Sequence, residues 1–120
     1  MDARTKELLE GLGVDLDTTM ARFLDNEELY FKFLKQFPDD ETFGQLKDSL
    51  AAENADEAFR AAHTLKGVAG NLGLTHVFEA ASDITEALRH EENRDMAKAL
   101  SFSTDLGKAY DEVVNVVKQI

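Results

Sequence analysis

The chain has 120 residues, of which 43% are hydrophobic and 31% are charged, a balance that suits one compact domain with a solvated surface. Its 13 basic and 24 acidic residues give a formal net charge of −11, which disfavours nucleic acid and anionic membranes as partners. There is no cysteine, so disulfides, thiol nucleophiles and thiolate metal sites are excluded. The N-terminal residues do not resemble a signal peptide, and no apolar run approaches the roughly 18 residues of a membrane span. We therefore expect a cytoplasmic protein.

Apolar residues recur at steps of three and four along most of the chain, which is the period of an amphipathic helix. In chain order, this pattern predicts two short helices within residues 3–37, followed by four longer helices over about 41–53, 55–72, 76–90 and 94–119. Helix-end signals occupy the breaks between them: Pro38, the capping box of Asn54 and Glu57, Gly73, and Asn93.

Short loops between long helices imply antiparallel neighbours. The predicted class is therefore all-α, with an antiparallel up-down four-helix bundle over about 41–119 and one or two additional short N-terminal helices over about 3–37. No linker or repeat marks a boundary, so residues 1–120 are predicted to form a single domain.

The segment around residue 63 has two different faces when its residues are placed at about 100° per residue. One face is apolar and consists of Ala58, Phe59, Ala62, Leu65, Ala69 and Leu72. The other consists of His63, Lys66, Gly67 and Gly70. Each glycine inside a helix costs about 0.5–1 kcal/mol relative to alanine, so both glycines are predicted to provide space for a group or partner approaching the imidazole.

Lys66 follows His63 by three residues and therefore lies on the same helical surface. Its ammonium group can contact an anion attached to the imidazole, and a charge-assisted contact of this kind contributes about 1.5–3 kcal/mol. The pattern indicates an acceptor histidine with a stabilising lysine.

His63-Thr64-Leu65-Lys66-Gly67, followed by Asn71-Leu72-Gly73, resembles the signature of histidine-phosphotransfer (HPt) domains of two-component phosphorelays. In that family the histidine is exposed on a four-helix bundle. The resemblance implies that His63 is the phosphoacceptor through one ring nitrogen and that Lys66 contacts the phosphoryl group. It also implies that Gly67 gives clearance and that Arg89 adds positive charge nearby.

One position departs from the family pattern. Many members carry a glutamate or glutamine one turn before the arginine, where this chain has Thr85 with Glu86 beside it. The hydroxyl of Thr85 is a candidate for orienting the imidazole, and a water molecule or another residue is the alternative.

The resemblance implies a phosphorelay intermediate that exchanges a phosphoryl group between His63 and an aspartate of a response-regulator receiver domain. The expected partners are that receiver domain and a hybrid or other sensor histidine kinase. The sequence has no glycine-rich nucleotide loop and no carboxylate set for Mg²⁺. We therefore expect a phosphoryl carrier without a cofactor or metal of its own, with Mg²⁺ bound by the receiver.

Two other functions are open. One is an adaptor bundle that docks receiver domains without being phosphorylated. The other is a His/carboxylate metal bundle, although the paired Glu-x-x-His motifs typical of such bundles are missing.

Other residues that could carry chemistry have simpler structural explanations. His76 and His90 lack a second ligand at metal spacing, and Asp39-Asp40-Glu41 is typical of a helix start. Most of the N-terminal aromatic residues are predicted to pack in the core. Phe31 lies off their stripe, so it is either an exposed anchor for a partner or an ordinary surface aromatic.

Overall fold

The computed structural model describes residues 1–120 and contains helices, turns and no strands. Its seven α-helices are α1 (Ala3–Gly11), α2 (Leu16–Arg22), α3 (Glu27–Gln36), α4 (Thr42–Ala51), α5 (Ala55–Leu72), α6 (Thr75–Leu88) and α7 (Met96–Gln119). Short 3-10 turns lie at Phe37–Asp39 and Glu91–Asn93. The predicted all-α class is confirmed. None of these helices combines the length and the apolar character that crossing a membrane requires.

Helices α4 to α7 form the predicted four-helix bundle. In this bundle α4 packs against α5, α5 against α6, and α6 against α7, while α7 also meets α4 and closes the ring. The antiparallel direction of α5 and α6 is visible in their contacts, because Gly70 lies beside Phe78 whereas Phe59 lies beside Arg89. The interior is filled by aliphatic side chains from all four helices, among them Leu46, Leu65, Ile84 and Leu106.

The N-terminal region contains three helices, so the prediction of one or two was wrong. The breaks between them are sharp. Gly13 has a φ of 81° before Asp15 caps α2, and Leu24 and Asp25 both have positive φ before Asn26 caps α3. Asp and Asn are favoured at helix N-caps, so Asp15 and Asn26 already indicated these two helix starts in the sequence.

Helix α6 begins one residue earlier than predicted and ends two residues earlier, where its last turn is capped from outside. It ends at Leu88, whose carbonyl accepts a hydrogen bond from Arg94 Nε at 3.0 Å. The same Arg94 pairs with Asp56 Oδ1 at 2.7 Å, and this pair connects the end of α6 to the start of α5.

The N-terminal aromatic residues mostly pack, as predicted, but the exposed member is not the expected one. Phe31 is half-buried and its ring lies 5.6 Å from that of Tyr30. Phe33, one of the N-terminal aromatic residues that were predicted to pack in the core, is 44% exposed. Tyr30 is fully buried, and its hydroxyl donates to the Leu72 carbonyl at 2.9 Å. Tyr30 therefore joins α3 to the end of α5.

Gly73 ends α5 in the left-handed conformation, with a φ of 73°. The Leu74 N–H donates to the Ala69 carbonyl at 2.9 Å, which is the bond of a Schellman motif that spans more residues along the chain. A Cβ at position 73 would collide with Thr19 Oγ1 and lie 3.2 Å from Val14 Cγ1. Only glycine fits both the conformation and the space.

We expect Gly73→Ala to lower the free energy of unfolding by about 1–3 kcal/mol, because the new Cβ is strained by the positive φ and by Thr19. Gly107 in α7 provides a matched control, since a Cβ there meets nothing within 4 Å. Gly107→Ala should raise the stability by about 0.5–1 kcal/mol. Urea unfolding of both variants measures the difference, and a similar change in the two would show that Gly73 is not constrained.

Candidate functional site

Helix α5 has the two faces that its sequence predicts. Its buried residues face the bundle and are Ala58, Ala61, Ala62, Leu65, Ala69 and Leu72. His63 and Gly67 are exposed on the other side. The helix begins at the predicted cap, where the Glu57 N–H donates to Asn54 Oδ1 at 3.2 Å. The structure thus holds the histidine on the solvent side of a well-buried helix.

The two glycines beyond His63 differ in their surroundings. A Cβ at Gly67 would meet nothing within 4 Å, so the space next to the imidazole is open. A Cβ at Gly70 would lie 3.3 Å from Phe78 Cδ2. The predicted access role of Gly70 is therefore corrected, because this glycine allows Phe78 of α6 to pack closely on α5.

Phe78 also contacts Lys66. Lys66 Nζ lies 5.7 Å from the centroid of the Phe78 ring, a cation–π distance, and the residue is half-buried. The absence of a side chain at Gly70 admits the ring over which the ammonium group lies. Gly70 and Lys66 therefore both lie next to the same ring of α6.

The imidazole of His63 makes no hydrogen bond within the chain, and its aromatic neighbour is Phe59. The two ring centroids are 6.1 Å apart with an interplanar angle of 62°, an edge-to-face arrangement. Phe59 was assigned to the packing stripe, but it precedes His63 by four residues, a spacing at which helical side chains meet. It therefore lies between the buried face and the site.

Thr85 does not orient the imidazole. It is fully buried, and its hydroxyl donates to the Ala81 carbonyl one turn earlier in α6 at 2.7 Å. The hypothesis is corrected for this physical reason: a buried hydroxyl needs a partner, and the nearest carbonyl of its own helix provides it.

Arg89 lies at the end of α6 and is paired with the neighbouring Glu86. Its Nε and Nη2 atoms donate to Glu86 Oε1 at 3.0 and 2.8 Å, while its Cζ lies 5.7 Å from the Phe59 centroid. The hydrogen bond from Arg89 is the main cause that lowers the pKa of Glu86, and Lys66 and His90 lower that pKa further. Glu86 is therefore ionised at neutral pH.

The C-terminal end of α5 is held by α2 and α3. Arg22 Nη1 donates to the carbonyls of Gly70 and Asn71 at 2.8 and 3.0 Å, next to the bond from Tyr30 to Leu72. The Asn71 and Leu72 carbonyls accept no backbone hydrogen bond, as expected at a helix end, so they need donors from side chains. The Gly70 carbonyl also accepts from the Gly73 N–H at 3.3 Å. Arg22 was not predicted, because no sequence signal relates residues 22 and 70.

The other two histidines make no hydrogen bond to His63 and no ring contact with it. His76 Nδ1 is 3.4 Å from Glu112 Oε2 on α7, and His90 is exposed beyond the end of α6.

A comparison with known protein families agrees with this geometry. The family model described as Hpt domain matches residues 28–116. This match covers most of the chain and includes α4, α5 and α6 and most of α7, so the chain belongs to the Hpt domain family. Hpt domains carry out histidine phosphotransfer in two-component phosphorelays, where they interact with receiver domains and kinases. No significant match to a curated protein or to a solved structure was found.

We expect Thr85→Val to leave the imidazole of His63 undisturbed, because the lost hydroxyl contacts only Ala81. The NMR shifts of the His63 ring should stay at their wild-type positions, and the stability should change by no more than about 1.5 kcal/mol. Phe59→Leu is the contrasting variant, since it removes the ring that contacts the imidazole and should move those resonances. A Thr85→Val variant with shifted His63 resonances would restore the orienting role.

Proposed function

We propose that His63 accepts a phosphoryl group from a phosphoaspartate or kinase and passes it to an aspartate of a response-regulator receiver domain. The observation that carries this proposal is the exposed imidazole beside the open space at Gly67, on the helix that lies within the Hpt domain match. His63 is also the histidine that has a lysine and an arginine held over neighbouring aromatic rings.

The reaction requires an accessible nitrogen lone pair. One imidazole nitrogen attacks the phosphorus of the partner's aspartyl phosphate, and the N–P bond forms while the acyl O–P bond breaks. The electrons of the broken bond leave with the partner's carboxylate, and the proton on the other ring nitrogen stays where it is. Onward transfer is the reverse process with a second aspartate, so the chain acts as a carrier.

Lys66 is proposed to stabilise the phosphoryl group. Its half-buried stem packs along α5 and α6, and its ammonium group lies over Phe78 on the side of α5 that carries His63. A lysine ammonium is a mobile point charge that can follow the phosphoryl group during transfer. Since phosphoryl transfer depends mainly on positioning and charge stabilisation, such a group contributes without taking part in bond formation.

We propose that the remaining machinery belongs to the partners. The receiver would hold Mg²⁺ and the acidic pocket, and a hybrid or other sensor histidine kinase would bind ATP. The chain would then need no cofactor of its own. We place the reaction in the cytoplasm, because ATP and the kinases that use it are available there.

His63→Gln should abolish phosphoryl acceptance while leaving the helical content and thermal unfolding nearly unchanged, because an exposed side chain contributes little to packing. The measurement is the acid-labile label that the chain acquires from a phosphorylated receiver domain. Label at the parental rate on the Gln variant would place the acceptor elsewhere. A wild-type chain that binds the receiver and acquires no label would instead be an adaptor.

Gly67→Leu should reduce the transfer rate at least tenfold while the stability holds or rises. A helical side chain leans toward the N-terminus, so the leucine would project toward the imidazole and obstruct the partner's aspartyl phosphate. The same change improves helix propensity by up to about 1 kcal/mol, so unfolding cannot account for the loss. Gly107→Leu on α7 is the control for a glycine-to-leucine change away from the site, and wild-type transfer by the Gly67 variant would contradict the access role.

A further inference from the structure

The ring of Phe59 connects the imidazole of His63 to the guanidinium of Arg89. His63 lies 6.1 Å from the Phe59 centroid and Arg89 Cζ lies 5.7 Å from the same point. The guanidinium carbon is therefore within about 12 Å of the imidazole centre, whatever the angle between the two contacts. A phosphoryl group on the imidazole can shorten this separation, and the exposed arginine side chain can turn about its own bonds.

In the unphosphorylated protein this guanidinium is already occupied. Arg89 reaches both oxygens of Glu86, with Nε at 3.0 Å from Oε1 and 3.2 Å from Oε2. The pair is largely in water, since the side chains of Arg89 and Glu86 are 37% and 58% exposed. Ion pairs with this exposure are weak and easily exchanged.

Phosphorylation places a stronger competitor near this pair. A phosphoryl group carries about −1.5 to −2 charges and three acceptor oxygens, against one charge on Glu86. Arginine binds carboxylates and phosphates through the same planar set of donors, so one guanidinium can exchange between them. The aromatic face of Phe59 can support the cation during this exchange.

We propose that Arg89 is a switched phosphoryl ligand, which pairs with Glu86 when His63 is free and moves across Phe59 to the phosphoryl group when His63 is phosphorylated. This inference rests on the proposed function of His63. Glu86 then sets the lifetime of the phosphohistidine, because it competes for the arginine. The competition keeps the phosphoryl group available for onward transfer.

A double-mutant cycle tests the exchange. The four proteins are the wild type, Glu86→Gln, Arg89→Gln and the double variant, each charged from the same phosphorylated receiver domain. The measured quantities are the equilibrium constant of transfer to His63 and the rate at which the isolated phosphoprotein loses its acid-labile label. Glu86→Gln should shift the equilibrium toward phosphohistidine by about two- to fivefold and should slow the loss of the label. The factor is small because removing an exposed ion pair changes an equilibrium constant by about this much. Arg89→Gln should shift both in the opposite direction.

The result that identifies the switch is the double variant. If Glu86 acts by occupying Arg89, then Glu86→Gln has no further effect once Arg89 is replaced. An equal effect in both backgrounds would show that Glu86 acts only as a nearby negative charge, and this would overturn the switch. Glu57→Gln is the matched control, because Glu57 also pairs with an arginine three residues later, Arg60, on the exposed side of α5. It should leave the transfer equilibrium unchanged.

A spectroscopic measurement follows the arginine directly. The ¹⁵Nε–H resonance of Arg89 should move when the wild type is phosphorylated and should stay fixed in His63→Gln treated in the same way. A fixed resonance in a phosphorylated wild type would contradict the exchange while leaving phosphotransfer by His63 intact. A wild type that acquires no label on His63 would overturn the proposed function and the switch together.

Discussion

The structure depends on one helix that must be buried and accessible at the same time. Helix α5 contacts α4 and α6, and also α2 and α3 near its end, so it is covered by neighbours on more than one side. The uncovered part carries His63 and Gly67. A histidine on this strip is held by a rigid scaffold and still meets a partner, which a histidine on a loop or in the core would not combine.

The end of α5 explains why the bundle needs the N-terminal helices. The last carbonyls of a helix lack internal partners, and leaving them unpaired near the core is costly. Arg22 and Tyr30 supply the donors from α2 and α3, and Gly73 turns the chain so that Leu74 supplies another. Arg22 lies before residue 28, where the family match begins. The two bonds from Arg22 therefore come from a part of the chain that the family model does not cover, whereas Tyr30 and Leu74 lie within the match.

The charge at the site differs from that of the whole molecule. The chain carries a net charge of −11, whereas the region around His63 has Lys66 and Arg89 on aromatic supports. Glu86 balances this local positive charge, and its hydrogen bond with Arg89 raises the pKa of the guanidinium. Under the function proposed for His63, this balance would favour release of the phosphoryl group, because cations that bound it without competition would retain it.

The sequence by itself determined the properties that depend on local spacing. Helix α5 spans residues 55–72 as predicted, with Asn54 at its start and Gly73 at its end, because caps and helical periodicity are encoded by neighbouring residues. The predicted separation between the buried stripe and His63 follows from the same spacing. The family signature around His63 is likewise contiguous, and the family match agrees with it.

Only the tertiary structure distinguished Gly67 from Gly70, since the difference is the ring of Phe78 on another helix. It also turned Thr85 inward and brought Arg22 to the end of α5. These outcomes depend on contacts between residues far apart in the chain, and the period of a single helix contains no information about which neighbour covers each of its sides.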